Sequence, residues 1–128
     1  MVKYAFLMYL FLTISLLSFS QEHTDKCKVK VKEATPHVVL DKLRYYSVEF
    51  YNGSQKTVDA LEWDASFYDK FNKLLGVRKG VWSSGKWISP LQPGEYKKDR
   101  EMPDDIGDAA KVIIKIKKVH FIDETSCE

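Results

Sequence analysis

The chain is poor in the residue types that most catalytic chemistry needs. Two cysteines and three histidines occur among 128 residues. Two cysteines exclude a disulfide-dense miniprotein, and without a Cys-x-x-Cys pair there is neither a dithiol redox motif nor a zinc knuckle. His23 lies near the start of the body, His37 follows a proline, and His120 points away from the face carrying Val119 and Phe121. With no Gly-x-Ser-x-Gly beside them, these histidines suggest no nucleophile–histidine–carboxylate set. Gly76, Gly80 and Gly85 are spaced as turn residues, not as a phosphate loop. Asp104, Asp105 and Asp108 surround Gly107 but lack the spacing and closing glutamate of an EF-hand, so they read as a solvated acidic loop. An excess of one charge is missing too. Lys+Arg is 20 against Asp+Glu 18, a net +2, which argues against a nucleic-acid binder. These gaps predict a protein that is not an enzyme and takes no cofactor and no metal.

What is present is a folded body behind an export leader. The apolar fraction is 45% and the aromatic fraction 13%, too high for a disordered chain. Lys3, an apolar run from Ala5 to Leu17, and Ser18-Phe19-Ser20 form the three regions of a signal peptide at 1–20, cut before Gln21. The run falls short of the roughly 20 apolar residues a spanning helix needs. The expected mature chain, 21–128, is therefore secreted or periplasmic, with no transmembrane segment. In that compartment Cys27 and Cys127 are expected to bond. A loop of about 100 residues would contribute at most about 4.7 kcal/mol by chain entropy.

Past the leader the dominant hydrophobic period is two. Cys27, Val29 and Val31 alternate with Lys26, Lys28, Lys30 and Lys32, and Ala34–His37 ends that strand. Leu43–Tyr51 follows, with Tyr46, Val48 and Phe50 on one face. Asn52-Gly53-Ser54 is a turn. Thr57–Tyr68 carries Leu61, Trp63, Ala65 and Phe67 on one face, with a bulge near Ala60. Asp69–Gly76 reads as a polar turn with Phe71, Leu74 and Leu75 tucked in. Val77–Trp82 and Trp87–Leu91 flank a four-residue hairpin loop. Glu95–Glu101 is a polar strand, and Lys111–Ile122 is the last, with a second bulge before Val119. The predicted core is Val29, Val31, Tyr46, Val48, Phe50, Leu61, Trp63, Phe67, Val112, Ile114 and Ile116. About seven strands at 8–12-residue spacing indicate one β-sandwich domain.

The order Asn52…Thr57-Val58, Phe67-Tyr68-Asp69 and Leu91-Gln92-Pro93-Gly94-Glu95 resembles the FxLYD-type immunoglobulin-like domains of exported bacterial proteins over about Leu43–Asp123. The Phe of that name falls at Ala65 and its Leu at Phe67. The resemblance implies an all-β, immunoglobulin-like β-sandwich and an accessory or interaction role, with no catalytic residues to carry over. It also constrains the disulfide. Where first and last strands run the same way, a seven-residue last strand would carry Cys127 roughly 23 Å from the first strand's start, yet bridged Cα atoms lie within about 7 Å. The bridge therefore needs either antiparallel terminal strands or a tail that doubles back after Asp123. Glu124–Cys127 reaches at most about 14 Å extended, barely enough alone, so the bridge is tied to the antiparallel arrangement.

Two functional readings follow. The first is a module that docks a protein partner at the cell envelope or supports an assembly there. The second is a carbohydrate-binding module, in which Trp82 and Trp87 face each other across the hairpin as a platform for a glycan, joined by Tyr45 or Tyr51. The lysine row Lys26–Lys32, with Lys115, Lys117 and Lys118, either protects an edge strand from pairing or attracts an anionic polymer.

Overall fold

A computed structural model describes residues 23–128; the expected leader, 1–20, lies outside the described residues. The strands are β1 (Val29–Val39), β2 (Lys42–Asn52), β3 (Val58–Tyr68), β4 (Leu74–Ser83), β5 (Tyr96–Glu101), β6 (Lys111–Phe121) and β7 (Ser126–Cys127). They form a three-stranded sheet ordered β1-β2-β5 and a four-stranded sheet ordered β4-β3-β6-β7, with antiparallel pairing between neighbours. No helix occurs among the described residues.

Alternation puts one apolar row on the inner face of each sheet, and the two rows share one core. All eleven predicted core residues are buried. Trp63 links the sheets: its indole N–H donates to the Tyr46 hydroxyl at 3.0 Å, and its ring lies 5.0 Å from that of Phe50. Burial pushes the Tyr46 phenol up to about 12, against the opposing pull of the Trp63 hydrogen bond. Gly80 makes room for this indole, since a Cβ there would stand 2.1 Å from it. The bulge expected near Ala60 is present as a register shift between Val58 and Ala60, so Val58 and Leu61 are both buried. A second shift opposite Lys117 re-phases β6, turning Val119 and Phe121 inward.

Four expectations need correction. β1 does not stop at Ala34–His37 but continues to Val39. Pro36 is tolerated because β1 is an edge strand, where a missing N–H leaves no gap in the sheet. The segment 69–76 is not an apolar-lined turn: β4 already begins at Leu74, and Phe71, Leu74 and Leu75 are exposed. Trp87–Leu91 is not a strand. Gly85 and Ile88 close a tight turn, and Leu91 instead bridges Val58. The seventh strand is the short β7.

The disulfide forms, with Cα atoms 6.4 Å apart, and the expected antiparallel arrangement is present. Val29 opens β1 opposite the end of β2, at the same end of the molecule where Phe121 closes β6 opposite the start of β3. The chain reverses after β6, and β7 lies antiparallel to it, Cys127 opposite Val119. Because β7 has two residues, its end is only roughly 7 Å beyond the turn. Cys27 sits at the reversal that opens β1, where Lys26 bridges Val29. With β1 and β6 running antiparallel, the doubling back of β7 closes the remaining distance between the two cysteines.

Candidate functional site

At one end of the molecule three turns meet. Val39 pairs with Lys42, and Leu40 and Asp41 between them have φ of 52° and 60°. Two left-handed residues make the tight hairpin whose twist matches its strands, a position that favours Gly or Asn. Here Leu40 fills it and is 87% exposed. In the β3–β4 turn, Asp69 Oδ1 accepts the backbone N–H groups of Phe71 and Lys73 at 2.8 and 2.9 Å. That carboxylate fixes the turn and points Phe71 outward, 90% exposed. In the β5–β6 loop Ile106 and Ala109 are buried, and the loop is tied down by Leu43 N–H to Gly107 C=O and Ala110 N–H to Tyr68 C=O.

Between these turns lies a depression of about 460 Å³. Pro36, Val38, Phe71, Ala109 and Ala110 give it apolar walls; Asp41, Asp69 and Asp108 face it with a single cation, Lys70. Lys70 stands 3.9 Å from Asp41, both side chains mostly in water, where such a pair contributes little. The result is an apolar hollow with an acidic rim, Phe71 on its wall and Leu40 in solvent on the neighbouring turn.

The sequence-predicted residues do not gather into one site. Trp82 is 5% exposed, on the inner face opposite Leu61, whereas Trp87 is 88% exposed beyond the turn at Gly85. The paired-indole platform is therefore absent, because the hairpin that would create it does not form. The Trp82 indole N–H is buried and unpaired among the described residues, and Lys97 Nζ lies 5.7 Å from its ring centroid. Tyr45 and Tyr51 lie on the outer face of the three-stranded sheet with their rings already engaged. Tyr45 stacks on His37 at 4.2 Å with Arg100 at 4.4 Å, and Tyr51 packs on Tyr96 at 4.8 Å. Cys27 and Cys127 are the one predicted pair brought together.

The histidines are in structural settings. His23 Nδ1 accepts the N–H of Ile114. His37 Nε2 is 3.2 Å from Ser47 Oγ, on an open sheet face with no carboxylate bonded to its ring. His120 Nδ1 lies 2.5 Å from Asp59 and Nε2 3.7 Å from Glu124. The Glu124 contact is too long for a hydrogen bond and lies in water, so Asp59 alone orients the ring. The Asp59 hydrogen bond holds the imidazole above its ordinary pKa. On the inner face of β5, burial raises both Asp99 and Glu101. Among the described residues no group of three His, Cys, Asp or Glu side chains is placed to hold a metal ion. No helix there is long and apolar enough to cross a membrane.

The loop end itself was missed. Phe71 stands in solvent where the apolar pattern predicts it tucked in, while Asp108 is exposed on its loop as expected. A legible signal existed in Asp69-Lys70-Phe71-Asn72-Lys73, one aromatic among four polar turn residues. No family model and no curated protein matches the chain. A solved structure does: a hypothetical protein from Peptoclostridium difficile 630, 11% identical, covering 80% of this chain and 87% of that one at a TM-score of 0.57. That likeness concerns the fold alone.

Proposed function

We propose that this protein is an exported, non-enzymatic interaction module that docks a protein partner through its loop end. The observation that carries the reading is the pair Leu40 and Phe71, almost fully exposed: Phe71 lines the depression, and Leu40 stands on the neighbouring turn next to the lining residue Asp41. Large apolar side chains in solvent work against folding unless something covers them in use. The long-range disulfide supports an oxidising compartment. We read the fold as an immunoglobulin-like sandwich related to the FxLYD type. Its support is the order β1-β2-β5 over β4-β3-β6-β7, which follows the immunoglobulin pattern with β4 beside β3. The glycan reading has lost its platform and now rests on Trp87 alone.

The test is site-specific photocrosslinking in the cells that make the protein, with the probe at position 40, at 71, or at Lys79 on the outer face of β4. Positions 40 and 71 should yield the same adduct, and Leu40→Asp should abolish the one formed from 71. Adducts from position 79 alone, or none from 40 and 71, would overturn the reading.

A further inference from the structure

We infer that the depression at the loop end receives a lysine or arginine side chain from an extended segment of the partner; this deepens the docking reading and rests on it. The argument starts from the hollow's two kinds of wall. Pro36, Val38 and Phe71 offer apolar surface, which a purely ionic ligand would not cover. The rim carries three carboxylates against one ammonium, which an aliphatic or aromatic side chain would not answer. One common side-chain type satisfies both at once: a cation on an apolar stem, the stem along the walls and the head at the rim.

The carboxylates differ in what they are free to do. Asp69 spends one oxygen on the Phe71 and Lys73 amides. Asp41 meets Lys70 only at 3.9 Å, both in water, so an incoming cation competes with a weak partner. Asp108 is exposed on its loop. Charge elsewhere makes the acidic rim local: the chain as a whole is net +2, and a lysine row lies at the disulfide end. The volume, about 460 Å³, is in the range of sites that enclose a side chain or small ligand. Leu40 and Phe71 then contact apolar residues neighbouring the inserted cation, which is why the segment is extended: alternate side chains point into the hollow and along its rim.

The experiment uses the whole mature chain, isotope-labelled for amide NMR, and three peptides: acetyl-Ala-Leu-Lys-Leu-Lys-Ala-amide, the same peptide with both lysines acetylated, and the same with glutamate for lysine. The lysine peptide should shift the amides of 38–41, 69–71 and 108–110 saturably. Acetylation should weaken binding at least about threefold, and Asp41→Asn and Asp108→Asn about two- to fivefold each, the range of an exposed ion pair. Both aspartates are exposed, so melting of the variants should match the parent and separate lost binding from lost folding. Equal binding of the acetylated peptide would overturn the cationic assignment while leaving the loop end as a docking surface. Shifts elsewhere, or none, would also overturn it, and the crosslinks at 40 and 71 would then judge the wider reading independently. Self-association of the protein that perturbs these same amides would replace the foreign partner by a second copy and overturn the proposal as stated.

Discussion

The two ends of the molecule differ in how their turns are tied together and in whether those turns enclose a hollow. At the disulfide end several connections are tied to one another, though the Gly85–Ile88 turn there holds Trp87 in solvent. Asn52 is fully buried, its Nδ2 donating to the carbonyls of Lys56 and Leu91 and its Oδ1 accepting from Ser54. Lys56 reaches Asp123, which also holds Thr125, and Asp59 holds His120. Gly94, at φ +81°, completes a Gln92–Glu95 turn that a side chain would strain. At the loop end the backbone is equally ordered, yet Leu40 sits in a left-handed conformation and Phe71 stands in water. Exposed apolar side chains occur at both ends, Trp87 at one and Leu40 and Phe71 at the other; what sets the loop end apart is that Phe71 lines a hollow with apolar walls and an acidic rim.

The strongest way to sharpen the contrast is to open the disulfide end. Cys27→Ala with Cys127→Ala should cost up to about 4.7 kcal/mol for a loop of this length, read from urea unfolding. A loss under about 1 kcal/mol would mean that the other ties already restrain the ends. Next, Asn52→Ala should cost about 2–3 kcal/mol by leaving buried carbonyls unpaired, with a matching fall in melting temperature.

Changes at the loop end should be small, or opposite in sign. Leu40→Asn should stabilise by about 1 kcal/mol, because Asn accepts the left-handed position at less cost. Phe71→Ser should change stability by less than about 0.5 kcal/mol while removing the crosslink. If thermal melts show Phe71→Ser costing as much as Asn52→Ala, the ring is packed in the folded protein and the contrast fails.

The finest probe is pH. The Asp59 hydrogen bond raises the His120 pKa, so its contribution is fully present below the imidazole's unfolded value, near 6.5, and is lost as pH rises through the folded value. Asp123, held by Thr125 and Lys56, is lowered to about 2, so its contribution is present above the unfolded value, near 3.9, and disappears as pH falls toward 2. Melting temperature against pH should therefore have a shallower alkaline slope in Asp59→Asn and a shallower acid slope in Asp123→Asn.

Much of this body is legible from alternation alone. A two-residue period assigns each apolar side chain to a face without reference to the rest of the fold, which is why the eleven predicted core residues are all inside. Bulges at Ala60 and in β6 were legible for the same reason, as breaks in that period. The site was not. Whether Phe71 turns in or out depends on Asp69 capping the turn, and Trp82 parted from Trp87 because Leu91 was drawn to Val58, in another part of the chain.

By itself the sequence determined the all-β class, the inward faces and the two cysteines available to bond, because strand periodicity and residue chemistry are local. Tertiary structure alone decided which strands became edges, how a two-residue strand brought Cys127 to Cys27, and which three loops meet around one hollow. Those outcomes depend on contacts between residues far apart in the chain, and no local pattern encodes which of the possible long-range pairings buries the most surface.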